Sequence, residues 1–235
     1  MKLLVSTVFY GAEAAAYASH LSMMYRIGKT FGDWDFMSYI PTRLPIDTAR
    51  NDAIKVALQK ECDYLFFYDD DQVLYPDTLK LLVERSKAFN LDVVGALNFV
   101  RGAPYNPMIF MKREDGNLSI VEEYKDLVDK DGLIFCEGLG MSCTLIRMEK
   151  VRRMPAPYFM TGPLNTEDIY FCVKLKRYTD ARIAVDTKLP LGHTMSPPIL
   201  SVKNRDFLKK YNDEVYGVDE QLIPTLKEMD EWRDA

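Results

Sequence analysis

Three consecutive carboxylates, Asp69, Asp70 and Asp71, follow directly on the apolar run Asp63-Tyr-Leu-Phe-Phe-Tyr68. Like charges at that spacing repel, and partial burial at a strand end penalises every ionised form, so something must compensate. A divalent cation does this naturally. Hard oxygen ligands suit Mg2+ or Mn2+, and a metal held by one or two carboxylates completes its shell with water and substrate phosphates. The other reading is a solvated loop whose carboxylates face the N-terminus of the next helix. The strand-end position favours the cation, because open α/β sheets bind ligands at the C-terminal ends of their strands. A second acidic pair, Glu167-Asp168, follows Thr166 at the start of a helix-period run, where Thr166 can cap and the carboxylates offset the helix dipole. His193, in the turn-rich LPLGHTMSPP, is either a metal ligand or a cap of the turn before Met195 and Pro197; His20, beside Ser19 on a helix-period run, reads as structural.

The elements that must position these groups alternate between strand-like and helix-like over the first hundred residues. Strands are expected at Lys2–Val8, Phe36–Ile40, Asp63–Tyr68 and Leu91–Leu97. Helices are expected at Ala12–Lys29, at Thr48–Lys60 with Asp47 as N-cap, and from Pro76 to about Asn90. Such alternation predicts a parallel sheet flanked by helices. From about Phe99 to Gly140, Gly and Pro punctuate short strand candidates at Met108–Lys112 and Leu133–Phe135, which reads as a β-rich insertion or mixed-sheet half. A helix over Glu167–Tyr178 and a strand over Arg182–Asp186 follow. From Lys203 the chain is charged and helix-patterned, with Phe207, Leu208, Tyr211, Val215, Leu222, Leu226 and Trp232 too apolar for a free tail.

With 235 residues, 48% of them hydrophobic, the chain can bury a core without a disulfide or structural metal. Its net charge of −5 supplies no overall field for collecting polyanions, so a nucleic-acid substrate would need a local basic face. Lys174, Lys176, Arg177, Arg182, Lys203, Arg205, Lys209 and Lys210 could form one, or simply a solvated surface. Cys62, Cys136, Cys143 and Cys172 lack CxxC spacing and read as reduced core thiols, which predicts a cytoplasmic protein. No signal-peptide pattern and no apolar stretch of about 18 residues is present, so no bilayer span is expected.

The strand running into Asp69-Asp70-Asp71 resembles the Asp-x-Asp motif of GT-A-fold glycosyltransferases, and more than the triplet matches family-2-like members. Thr48-Ala49-Arg50-Asn51 resembles the segment that opens the helix before the metal strand. Gly138-Leu139-Gly140, followed by Ser142-Cys-Thr-Leu-Ile-Arg147, resembles the acceptor-side segment. Thr166-Glu167-Asp168 resembles the pair that carries the base of inverting members, and Leu191-Gly192-His193 resembles a late metal-binding His. The ordered set spans roughly residues 1–195. The tryptophan near the acidic pair and the membrane helices of processive members are absent, so a polymerising synthase is not expected. In size the chain resembles compact virus-encoded glycosyltransferases, including those that modify hydroxymethylated DNA.

The resemblance implies a GT-A fold over residues 1–200, with a mostly parallel central sheet, flanking helices and a smaller mixed β part; the last forty residues match nothing in the family, and their own pattern predicts a helical extension over 201–235 that shapes the acceptor side or an oligomer contact. It implies Mn2+ or Mg2+ bound by Asp71, by Asp69 directly or through water, and by His193. Asp70 would reach the ribose of a nucleoside-diphosphate sugar, with UDP favoured. Thr7 would line the base pocket, beside Phe9 and Tyr10. Arg50 or Arg101 would stabilise the departing diphosphate, although Arg50 can equally salt-bridge across its helix. Asp168 would deprotonate the acceptor hydroxyl in an inverting transfer, the favoured outcome. The acceptor would be a glycan, a small molecule or a protein, with hydroxymethylated DNA as a further candidate, in the host cytoplasm if the protein is viral. The alternatives are a nucleotidyltransferase acting on a sugar phosphate, and a sugar-nucleotide-binding protein without transferase activity. The first lacks the glycine-rich basic loop expected after the first strand, where the chain reads VFYGAEAAA.

Overall fold

The computed structural model describes residues 1–8, 11, 14–30, 32–42, 44–162 and 166–194. Phe9, Tyr10, Met195, Pro197 and the expected 201–235 extension, with its basic residues, lie outside them. Along the chain run β1 (Lys2–Val8), α1 (Ala14–Thr30), β2 (Asp35–Tyr39), α2 (Ile46–Gln59), β3 (Tyr64–Asp69), β4 (Gln72–Val73), α3 (Thr78–Ala88) and β5 (Val93–Leu97). Then come β6 (Ile109–Lys112), β7 (Leu118–Ile120), β8 (Leu133–Phe135), β9 (Gly138–Leu139), β10 (Cys143–Arg147), α4 (Met148–Val151), α5 (Glu167–Tyr178), β11 (Ile183–Pro190) and β12 (Gly192–His193).

The main sheet has seven strands in the order β2-β1-β3-β10-β5-β11-β8. β2, β1, β3, β5 and β11 run the same way, while β10 is antiparallel to both β3 and β5, and β8 is antiparallel to β11. The mostly parallel sheet predicted from strand–helix alternation is therefore present, with one reversed strand in its centre. The middle segment is the expected mixed β part: β6 pairs with β7 and β9 in a small antiparallel sheet, and β8 joins the edge of the main one.

Because side chains alternate across a pleated strand, each central strand feeds two cores. Leu3, Val5, Phe66, Val94 and Leu145 pack with Met23, Ile27, Leu79 and Leu82 of α1 and α3 on one face. Leu4, Leu65, Phe67, Val93 and Ile183 pack with Ala53, Ile54, Phe171 and Leu175 of α2 and α5 on the other. Strands buried on both faces read as continuous apolar runs, which is why β3 and β5 were legible. The four thiols are buried and unpaired, and burial raises the pKa of each, Cys136 to about 12.

Two local expectations are corrected, and one strand carried none. Asp47 is not the N-cap of α2: Pro45 holds that position, and the Asp47 carboxylate inside the first turn accepts the Thr48 N–H at 2.7 Å and that of Thr161 at 3.2 Å. Pro76 precedes α3 but does not open it; Asp77 occupies the cap position. The central strand β10 was read only as a motif, because a short apolar run carries no signature of its direction.

Asn51, one turn beyond Asp47, fastens the segment that closes the lower core. Its Nδ2 donates to the Phe159 carbonyl at 2.7 Å, and its Oδ1 accepts the N–H groups of Tyr158 (2.8 Å) and Phe159 (3.1 Å). The Phe159 ring, 1% exposed, stacks on Phe171 at 4.6 Å and meets Phe67 edge-on at 5.7 Å. Removing it leaves a cavity between α5 and the sheet. We expect Phe159→Ala to cost about 3–5 kcal/mol in chemical denaturation, whereas the exposed Val173→Ala stays within roughly 0.5 kcal/mol of the parent.

Candidate active site

β3, β5 and β11 end at one edge of the sheet, and the site is built there. The backbone of β3 carries Asp69 level with Val8 at the end of β1. The reversed strand β10 begins at the same edge, so the segment before it enters the site, and the Asp69 N–H donates to the Ser142 carbonyl at 2.8 Å. Two glycines allow that approach. A Cβ at Gly138 would stand 3.1 Å from Ile169 of α5, and one at Gly140 3.1 Å from the Cβ of Met108.

The turn after β3 divides the Asp triplet. Asp69 and Asp71 line a cleft of about 370 Å³ together with Arg50, Arg101, Asp168 and His193. Asp70 lines a separate hollow of about 70 Å³ with Thr7, His20 and Tyr68. All eight residues singled out from the sequence thus stand at this edge, six in the cleft and two in the adjoining hollow.

Arg50 is the hub of the cleft floor. Its side chain, 3% exposed, lies between two carboxylates: Nη2 stands 3.2 Å from Asp69 Oδ1, and Nε stands 3.3 Å from Glu167 Oε1. Nη1 donates to the Met141 carbonyl at 3.2 Å, and the guanidinium packs over the Phe67 ring at 5.3 Å. The salt bridge open as an alternative for Arg50 exists, but it reaches β3 and α5 rather than crossing its own helix. Burial pushes the carboxyls of Asp69 and Glu167 above the usual range even though Arg50 pulls both down.

Asp71 behaves oppositely. Burial disfavours its charge, yet the hydrogen bond and charge of His193, with Arg101 and Gln72, hold its carboxyl below the usual range. Its Oδ2 lies 3.1 Å from His193 Nε2 and 3.2 Å from Arg101 Nη1, and Gln72 Nε2 donates to Oδ1 at 3.2 Å. The short antiparallel ladder of β4 and β12 sets this up: His193 pairs with Gln72, and Thr194 donates to the Asp71 carbonyl from both its N–H and its hydroxyl. On its other side the imidazole reaches the Phe99 carbonyl through Nδ1 at 3.0 Å. A carbonyl only accepts, so Nδ1 carries a proton, and a neutral ring then turns the Nε2 lone pair toward the Asp71 carboxylate. Two such acceptors need a proton or a cation between them. A backbone carbonyl fixing the tautomer of a ligating His is also the usual outer-shell arrangement of metal sites. Among the described residues, no group of three His, Cys, Asp or Glu side chains is arranged to hold a metal ion. Asp71 and His193 form a pair, and Asp69 is turned to Arg50.

Asp168 opens α5. Its Oδ1 accepts the Thr166 hydroxyl and, at 2.8 Å, the Ile169 N–H. Thr166 occupies the N-cap position without a side-chain cap bond, so here the carboxylate does the capping. In the hollow, Asp70 Oδ2 accepts the Gly11 N–H at 2.8 Å, and His20 stacks on Tyr68 with its Nδ1 against the Tyr68 hydroxyl. Burial lowers the pKa of His20, which also lines the hollow. Sequence reasoning missed the carbonyls of Phe99 and Met141 and the Asn98 amide bonded to the Ser142 hydroxyl. Backbone carbonyls carry no side-chain signature, and a lone Asn after a strand resembles any turn residue.

No protein-family model matches this chain, and no curated protein matches it in sequence. Solved structures do match in shape. A197 from STIV is 19% identical with a TM-score of 0.54, covering 83% of this chain and 85% of that one. S. aureus TarS is 18% identical with a TM-score of 0.53, covering 99% of this chain and 47% of its own, so this chain spans about half of TarS. At these identities the likeness is one of fold: a GT-A-like α/β architecture whose mostly parallel sheet is flanked by helices.

Proposed function

We propose that the chain is a glycosyltransferase that moves a sugar from a nucleoside diphosphate to an acceptor hydroxyl. One observation carries this reading: a GT-A-like sheet ends in a single cleft that gathers Asp71, His193 and Arg101 on one wall and Asp168 on another. Asp70 and Thr7 face a hollow beside it. Thr7 and Asp70, the base and ribose contacts that the resemblance implies, both line that hollow, and a UDP-sugar is the donor this reading takes.

The donor set fits a hard divalent cation. Asp71 and His193 would hold Mg2+ or Mn2+, Asp69 would reach it through water, and the diphosphate and solvent would fill the remaining positions. When bound, the ion supplies a Lewis acid for the charge that develops on the diphosphate. Arg101, with a side chain 60% exposed and already at Asp71, is better placed to follow that charge than Arg50, which is buried between Asp69 and Glu167. In the inverting course the acceptor oxygen forms a bond to the anomeric carbon as the carbon–oxygen bond to the diphosphate breaks. The nucleoside diphosphate leaves with the electron pair, and the acceptor proton passes to Asp168. Oδ2 is the atom for this, because Oδ1 already accepts two hydrogen bonds that orient the carboxylate.

Ligand-induced stabilisation tests the donor and the metal together. In a thermal-shift series of UDP-, GDP-, CMP- and dTDP-sugars with and without Mn2+, we expect metal-dependent stabilisation, strongest for UDP. Asp71→Asn and His193→Ala should each lose it while remaining folded, and His20→Ala should keep the metal response. Undiminished metal-dependent binding in Asp71→Asn would refute the metal assignment.

Asp168→Asn separates a base from a cap. A base contributes on the order of 10²–10⁴ in rate. We expect turnover to fall in that range with donor affinity nearly unchanged, and Glu167→Gln to have a smaller effect. A product with retained anomeric configuration, or a variant keeping most of its turnover, would leave Asp168 as a capping residue.

Arg50→Met removes the cation between two buried carboxylates and should destabilise the fold by about 3–5 kcal/mol near neutral pH. Asp69 and Glu167 already have raised pKa values, so the fold tolerates their protonated forms better, and stability is lost as pH rises through those values. Denaturation from about pH 4 to pH 8 should therefore show the variant's deficit growing toward higher pH.

A further inference from the structure

α5 starts in the cleft with Glu167 and Asp168 and buries Phe171, Cys172 and Leu175 against the sheet. Its opposite side, the stripe of Tyr170, Val173, Lys174, Arg177 and Tyr178, has the spacing of one helix face. With Leu118 from the small sheet, that stripe borders a groove of about 620 Å³, larger than the cleft. Apolar surface is left uncovered there: Val173 is 43% and Tyr178 51% exposed. The charge is one-sided. Among the described residues the lining holds two cations and no carboxylate, on a chain of net charge −5. Lys174 Nζ is fixed over the Tyr170 ring at 5.4 Å and donates to the Pro157 carbonyl at 2.6 Å, whereas Arg177 has no ion pair among the described residues.

We propose that this groove binds the part of the acceptor remote from the reacting hydroxyl, and that this acceptor is an oligosaccharide bearing an acidic group. The identification as acceptor rests on the transferase reading; the ligand chemistry rests on the groove. Tyr170 and Tyr178 offer flat faces for the apolar sides of sugar rings, and Arg177 offers a forked donor for a carboxylate, sulfate or phosphate. From Tyr170 to Tyr178 the helix rises roughly 12 Å, room for a short run of sugar rings. A nucleic acid fits less well. Tight binding of a polyanion rests on many phosphate contacts, and this lining supplies one uncommitted cation on an acidic protein. Binding energy from a remote site of this kind raises the rate of transfer by positioning the acceptor.

The test uses the full chain on an array of uronate-, sulfate- and phosphate-bearing oligosaccharides, their neutral counterparts and an oligothymidylate. We expect acidic oligosaccharides to bind in preference to the neutral ones. Calorimetry should show Arg177→Ala and Tyr178→Ala each weakening the preferred one about tenfold or more, with UDP-sugar binding unchanged. Silence across the array, equal binding of neutral and acidic members, insensitivity to both variants, or preference for the oligothymidylate would overturn the proposal. Self-association abolished by Tyr178→Ala would overturn it too, by assigning the groove to a second copy of the chain. The two readings fail separately. Variant-sensitive glycan binding without sugar-nucleotide binding removes the transferase, while donor hydrolysis with a silent array removes the groove.

Discussion

Arg50 is the charge on which the site depends. A guanidinium this deeply buried is tolerated only with paired partners, and here they come from three different places: Asp69 at the end of β3, Glu167 at the start of α5 and the carbonyl of Met141 before β10. The interaction therefore fixes the relative positions of a strand, a helix and a loop that are remote in sequence. It also disposes of two of the negative charges crowded at this edge. Asp71 is left to act with His193 and Arg101, and the acidic edge becomes an ordered division of labour instead of a cluster held only by solvent.

That division follows from the turn after β3 and from one reversed strand. β3 ends at Asp69 and the chain turns through Asp70 and Asp71, so that Asp69 and Asp71 line the cleft and Asp70 the hollow. Insertion of β10 against β3 and β5 brings the Gly140–Ser142 turn to the ligand-binding edge of the sheet, where parallel strands alone would have placed a helix connection. The β4–β12 ladder then closes the far wall, and the Thr194 bonds to the Asp71 carbonyl keep His193 in line with the carboxylate.

α5 connects the layers of this organisation. One face completes the lower core through Phe171 and its stack on Phe159, its first turn supplies Glu167 and Asp168 to the cleft, and its outer face borders the groove. A helix with three separate duties is constrained along most of its length. Its apolar positions are set by the core, its first acids by the helix dipole and Arg50, and only its outer stripe is left for recognition.

The sequence by itself determined the local elements and the identity of the chemical groups. β1 and α5 lie where their periodicity placed them, β3 and β5 within two residues; the Asp triplet was legible because consecutive carboxylates at the end of an apolar run are costly unless compensated, whereas Arg50, Asp168 and His193 took their roles from the ordered resemblance. Tertiary structure decided the pairings. That Arg50 meets Glu167, that the Phe99 carbonyl sets the His193 tautomer, and that β10 runs backwards are facts about contacts between residues 75 to 117 positions apart. Local pattern holds no record of such contacts. Hydrophobic periodicity states which face of an element is buried, but not which element buries it, and a backbone carbonyl looks the same in every residue until the fold gives it a partner.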